Sequence, residues 1–548
     1  MSSFQQYSNS PGDVPSLDTE ALTRHKMTVK EFAGSRAAQE RLIAEWKGEI
    51  EEAVRAACPL DFFPQEFVVV SWKQLQVILA RDGFPKRFEH WSFGQKYASQ
   101  QVHDTYGLSR TYELVLNTDP CVAYLLDSNS VQETRTVMAH VYFHNMFFKH
   151  NPYFSETNRK MLGKMGEHAD RIKKYQEEHG PDKVERFLDT ALSIDNLIDI
   201  HSVALQRTRE DYAPTAGLEV RQTRPITPVR FAVPDYLDRY VNPPEVLKAQ
   251  VEREQRERDQ RLKNNPPEPV QDILMFLMKH APLEPWQQDI LSMVRDEAYY
   301  FAPQGMTKIM NEGWASYWHS KLMTDYLLPR YPSEIVDYCE FNASVLAPGG
   351  QRINPYRLGV RLFRDIEERW DKGKFGPDWD ACRDMEERRN WDKKLGLGGQ
   401  EIINALLTHN DLTFIDRYLT PEFCAENKLH VNRETSGGDV VIDSEDFKRV
   451  RSLLVHSLTN LGRPKLAVIN ANHANRGELV IMHSFDGRAL DLGQAKTTCQ
   501  NLYALWTRPV HVLSRHDNGT SLKMSCENGN FGVHQVAKEF EKYFEGES

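Results

Sequence analysis

The sequence predicts a mainly α-helical protein that carries a small α+β module at its C-terminal end. Apolar residues recur at helical spacing in one segment after another up to about residue 431. Beyond Asn432 they fall into short β-branched runs separated by turn signals. The length of 548 residues exceeds what one hydrophobic core usually organises, so more than one domain is expected.

The elements follow in chain order. Residues 1–18, rich in Ser, Pro, Gln and Asn, read as a disordered tail. A helix-like stretch covers 31–57, and from Asp61 to about His201 the chain is dense in aromatic and apolar residues. Within it, 112–126 and 137–148 read as fully buried segments. Residues 206–270 form a charged insertion, first punctuated by proline and then running as LKAQVEREQRERDQRLKNNPPEP. Its near-continuous mixed charge reads as a solvated helix or an extended excursion. Helical patterns resume over 272–280, 285–300 and 307–327, with Pro303 expected to break or kink the chain before the last of these. Further helical pattern covers 334–429. The domain reading is therefore a tail at 1–18, a helical core at 19–431 holding the insertion, and a separate α+β module at 432–548. In that module FKRVRSLLVHSLTNL is helical, while LAVINAN, ELVIMHSFDGRAL and VHVLS are strands of a small antiparallel sheet.

Composition excludes several function classes. A net charge of −10 leaves no broad basic field for a phosphate backbone, so no nucleic acid is expected as partner. Seven cysteines, odd in number, widely spaced and without a CxxC, read as reduced thiols of a cytoplasmic protein. The polar N-terminus and the lack of any run of eighteen apolar residues predict neither a standard secretory signal nor a membrane span. P-loop, GxGxxG, GxSxG and kinase signatures are absent.

The residues that could carry chemistry lie in two apolar segments. In AHVYFHN, His140 and His144 stand four apart, so on a helix both imidazoles project from one face, as zincins present two zinc ligands. The alternative is a pair of core histidines bonded to backbone carbonyls. In NEGWASYWH, Glu312, Ser316 and His319 form one polar stripe on an aromatic helix. A carboxylate placed there needs a partner, which in the plainer reading is an Arg or His. Together His140, His144 and Glu312 make the His₂Glu set of a catalytic zinc site with an open fourth position, which gives the core a zincin-like (gluzincin-like) reading with Zn²⁺ as cofactor.

One departure qualifies that reading. The glutamate that follows the first histidine in HExxH, the usual general base, is replaced by Val141. Glu297 and Glu113 are the carboxylates that could take the proton, or could instead orient a ligand histidine. His319 is the third candidate catalytic group. A di-iron carboxylate bundle would require paired ExxH motifs, which are missing. His90, His103, Tyr106, Arg110, Asn117, Asn145, Tyr299, Tyr300, Asn354 and Tyr356 sit among aromatics, as pocket lining or as hydrogen-bonded core residues. Asn410 or Asp411 would cap the apolar helix that follows them.

Long segments carry a family resemblance: FEHWSFG (88–94), YGLSRTYELVLNTDPCVAYLLDSN (106–129), AHVYFHNMFFKHN (139–151), EPWQQDILSMVRDEAYYFAPQ (284–304), KIMNEGWASYWH (308–319), NPYRLG (354–359), DIEERWDKGKFG (365–376) and THNDLTFIDRYLT (408–420). In them the chain resembles the SpoVR (stage V sporulation protein R) family. The resemblance implies a cytoplasmic protein linked, in spore formers, to assembly of the spore cortex. In non-sporulating bacteria it implies a stress-response protein found alongside a PrkA-type serine kinase and a von Willebrand-like protein. The EGWAxY pattern also resembles the helix that supplies the glutamate ligand in some zinc carboxypeptidase-like gluzincins, which maps onto Glu312. Two functions are therefore expected. One is a zinc-dependent hydrolase acting on a peptide or amide bond, of a cell-wall precursor by the cortex link. The other is a non-catalytic regulatory or scaffold protein with a degenerate metal site, working with the PrkA-type kinase system.

Overall fold

The fold is given by a computed structural model that describes residues 19–105, 113–202, 228, 230, 231, 233, 235–263, 266–348, 353–434 and 440–544. The expected tail at 1–18, Tyr106, Arg110, and 206–227 of the charged insertion lie outside the described residues.

The principal elements in chain order are α1 (Arg36–Ala57), β1 (Gln65–Val70), β2 (Glu113–Leu116), β3 (Cys121–Leu126), α2 (Val131–His150), α3 (Met161–His179), α4 (Pro285–Met306), α5 (Lys308–Leu322), α6 (Pro355–Lys372) and α7 (Asp411–Tyr418). After them come β4 (Val431–Glu434), β5 (Val440–Ser444), β6 (Leu466–His473), β7 (Glu478–His483), α8 (Leu492–Trp506), β8 (Val510–Arg515), β9 (Ser521–Glu527) and β10 (Asn530–Gln535). Among the described residues no helix is long and apolar enough to cross a membrane. All seven cysteines are free.

Contacts divide the chain into two units. The first joins residues up to 155 and 159–162 to 307–450; the second joins 156–158 and 163–306 to 451–548. This differs from the division read at 431, because the helices of 163–306 group with the C-terminal sheet. A two-way backbone bridge between Val270 and Val468, at 2.9 and 2.8 Å, is one physical link within that second unit. Apolar periodicity reports that a segment is buried and is silent about which partner buries it.

In the first unit, α2 is set by its own sequence. Ser130 accepts from the Glu133 N–H while the Glu133 carboxylate accepts from the Ser130 N–H, a reciprocal capping box. The helix ends at Asn151, ahead of Pro152. Residues 137–148 are buried on every face, as the all-round apolar pattern demands. The segment read as 112–126, in contrast, is over its described residues 113–126 a hairpin of half-buried β2 and fully buried β3. Sheet order is β1-β3-β2, with β1 parallel and β2 antiparallel to β3, which leaves Glu113 at the start of an edge strand.

The start of α5 is held from elsewhere in the chain. Pro303 stays inside α4, which runs three residues further, and the break falls at Thr307 (φ −131°, ψ 17°), whose side chain makes no cap. A proline removes one N–H bond but ends a helix only where the backbone leaves helical space. Both carboxylate oxygens of buried Asp411 instead accept the N–H groups of Ile309 and Met310, at 2.7 and 2.8 Å. Asn410 caps its own helix α7 through Thr413. Helices α5 and α6 cross at Gly313 and Gly359, where no side chain would fit.

In the second unit, a five-stranded sheet has the order β10-β9-β8-β7-β6. The C-terminal module is thus α+β, with the strands where the short runs predict them. Its central pair β7–β8 is parallel, not antiparallel, because the chain returns through α8, and a crossover of that length permits parallel pairing.

Candidate metal centre

Three elements of the first unit bring their polar side chains to one point. Helix α2 presents His140 and His144 from one face, α5 presents Glu312, and β2 presents Glu113. His140 Nε2 lies 3.5 Å from a Glu312 oxygen and 3.4 Å from a Glu113 oxygen. His144 Nε2 lies 3.3 and 3.9 Å from the same two oxygens. Ligand atoms of Glu113, His140 and His144 all fall within 4.8 Å of one another. For bonds near 2.0–2.2 Å, the edge of a tetrahedron of ligands is about 3.3–3.6 Å, so most of these separations are those of donors sharing one ion.

The buried donors lack other partners. His140 Nε2, one Glu312 oxygen and one Glu113 oxygen accept or donate no hydrogen bond among the described residues. Neither carboxylate has a Lys or Arg within ion-pair distance among the described residues; the two histidines are their ion-pair partners. Both acids retain some access, with side chains 15% and 17% exposed against 7% and 4% for the histidines.

Outer contacts fix the imidazoles. His144 Nδ1 meets Asn311 Oδ1 at 2.8 Å, so Nδ1 carries the proton and Nε2 is left to face the acids. His140 Nδ1 lies 2.8 Å from His319 Nδ1. With the His140 Nε2 lone pair turned to the centre, its Nδ1–H donates to His319. Burial, and after it the proximity of His140, hold the His319 pKa well below its ordinary value, against the Ala315 carbonyl, which suits an uncharged acceptor. Tyr356, in the first turn of α6, lays its ring 6.2 Å from that of His140, and the nearby Glu312 carboxylate, then burial, raise its pKa well above the ordinary value.

Electrostatics separate the two acids. Burial raises the Glu312 pKa, yet His144 and His140 outweigh it and hold the carboxyl well below the usual range. Burial lowers that of His144, and Glu312 with Glu113 reverses this, up to about 9. Glu113 goes the other way: burial dominates over both histidines, Glu312 adds to it, and its pKa is raised.

A family model described as SpoVR like protein matches residues 37–463. The chain belongs to the SpoVR family. The match spans every residue of the centre. A SpoVR-family chain of Escherichia coli (strain K12), titled "Uncharacterized protein YcgB", is 28% identical over 501 residues, which cover 84% of this chain and 89% of that one. No solved structure matches.

The remaining residues singled out in the SpoVR sequence divide clearly. Glu297 belongs to the second unit, where it meets His168 at 3.0 Å, both buried. Ser316 is buried with its hydroxyl unpaired among the described residues. Asn145 ties the Phe63 backbone and Gln65, His90 meets Ser92, and Asn354 caps α6. Tyr299 bonds Asp272 within the second unit. The side chain of His103 lies outside the described residues. Tyr356, read in the sequence as pocket lining or core, stands beside His140, while Asn311 has a role that sequence reasoning did not assign; its signal was adjacency to Glu312 in NEGW.

Proposed function

We propose that the first unit holds one Zn²⁺ ion between His140, His144 and Glu312 and hydrolyses a peptide or amide bond, with Glu113 as the group that accepts and returns the proton. The observation that carries this reading is the set of N–O separations of 3.3–3.9 Å between two imidazoles and two carboxylates that have no other counter-charge among the described residues. An ion bound there supplies a Lewis acid and lowers the pKa of water.

The chain's own residues would divide the work as follows. Glu312 stays ionised as a ligand, held in that state by the two histidines. Asn311 and His319 fix which nitrogen each ligand histidine presents. Glu113, raised by burial, exchanges a proton nearer to neutral pH than an exposed acid does. It takes from an edge strand the role that Val141 cannot fill on the helix. A cell-wall precursor as substrate, and a PrkA-type kinase and von Willebrand-like protein as partners, come to this reading from the family resemblance alone.

A second reading, a non-catalytic regulatory or scaffold protein, is favoured by the number of protein donors. Four side chains around one ion make a closed site, which is the structural kind. Metal content tests both. Purified wild type is expected to carry about one equivalent of metal by mass spectrometry, and His140→Ala and Glu312→Ala none. Absence of stoichiometric metal from the wild type, after purification in zinc, overturns the centre.

A further inference from the structure

Helix α6 has two electrostatically different halves. In its C-terminal half each cation has an acid one turn away: Arg369 meets Asp365 at 2.7 Å and Lys372 meets Glu368 at 2.7 Å. In its N-terminal half Arg357, Arg361 and Arg364 stand at i, i+4 and i+7 on one face, the first two half-buried and the third exposed. Among the described residues none of the three has an acid within ion-pair distance. Their hydrogen bonds go to neutral oxygens: the Leu346 carbonyl at 3.2 Å, Asn427 Oδ1 at 2.6 Å and Ser320 Oγ at 3.1 Å. A guanidinium carries a fork of N–H donors, so most of theirs remain unspent.

The arrangement is costly as it stands. Burial and then Arg357 and Arg364 depress the pKa of Arg361, with no acid opposing them. Arg357 also sits in the first turn of the helix, three residues beyond its cap Asn354, where the backbone dipole disfavours a cation. Acids are not scarce in a chain of net charge −10, and Arg135 and Arg295 each have one. A bound anion relieves both the mutual repulsion and the dipole.

We propose that Arg357, Arg361 and Arg364 bind the diphosphate group of a soluble ligand. Seven residues of helix rise about 10 Å, more than a single phosphate spans and within reach of two linked ones held by paired guanidinium forks. The site needs no metal, so it stands or falls apart from the His140 centre.

The test is calorimetric titration of the full chain, stripped of metal by chelation, with inorganic pyrophosphate. Wild type is expected to bind one equivalent, and more tightly than it binds inorganic phosphate. Arg361→Gln is expected to weaken binding about ten- to hundredfold, and Arg357→Gln and Arg364→Gln about tenfold each. Arg361→Lys, which keeps the charge and fold but loses the fork, falls between; Lys372→Gln leaves binding unchanged. No binding by wild type overturns the proposal, as does binding that all three glutamine variants retain. Capture by phosphatidylglycerol vesicles without pyrophosphate binding overturns it too.

Discussion

Gly313 and Gly359 touch backbone to backbone: a Cβ added to Gly313 would stand 2.5 Å from the Gly359 Cα. This crossing lies beside Glu312 on one helix and one turn beyond Tyr356 on the other, so it sets how closely α6 approaches the centre. Gly359→Ala would place a methyl 2.3 Å from the Ile309 carbonyl oxygen, and the helices must part. The expected loss is about 1–3 kcal/mol in urea unfolding, together with weaker metal binding. Gly48→Ala, on α1 with nothing within 4 Å, should be neutral or stabilising. Equal effects of the two substitutions would remove the crossing from the account.

Glu113→Gln separates a proton carrier from a fourth ligand. The amide keeps shape and loses the exchangeable charge, so metal content should stay at the wild-type level while peptide or amide hydrolysis falls about 10²–10⁴-fold. Loss of metal on this substitution would instead assign Glu113 to the ion and close the site.

The contacts behind the two imidazoles should be felt in affinity. Asn311→Ala and His319→Phe each remove the acceptor of a ligand Nδ1–H, at 2.8 Å in both cases. Chelator competition is expected to report metal binding weakened about 10–100-fold. Asn311→Asp, which puts a carboxylate behind His144, should bind at least as tightly as wild type. Unchanged affinity in all three would mean that these contacts orient nothing.

What the sequence revealed of this site follows from locality. The pair His140 and His144 is legible because four residues make one helical turn, and Glu312 because a carboxylate on an aromatic helix needs a partner. Glu113 and Glu297 looked alike in sequence; the fold gives one to an edge strand facing two histidines and the other to a buried pair with His168. Asp411 looked like a cap for its own helix and caps α5, about a hundred residues away in the chain, because nearby Asn410 already serves α7. The parallel β7–β8 pair was hidden for a related reason: strand runs advertise pairing but not direction.

Burial also sets a pH dependence remote from the centre. Glu334 is buried with its carboxylate 2.5 Å from Arg135, and beside His25, Asp337 and Glu49. Desolvation outweighs Arg135 and, with Asp337 and Glu49 adding to it, raises the carboxyl pKa to about 7. An acid whose folded pKa exceeds its unfolded value binds more protons when folded, so its contribution is present below about pH 4.5 and is lost as pH rises through 7. The loss is at most about 3 kcal/mol. His25, with a lowered pKa, works in the opposite direction as pH rises toward about 6.5, so the comparison belongs in a His25→Gln background. There, urea unfolding at pH 5 and pH 8 should show a drop in stability that Glu334→Gln largely removes. Equal drops in the two proteins would mean that Glu334 stays ionised against Arg135 throughout.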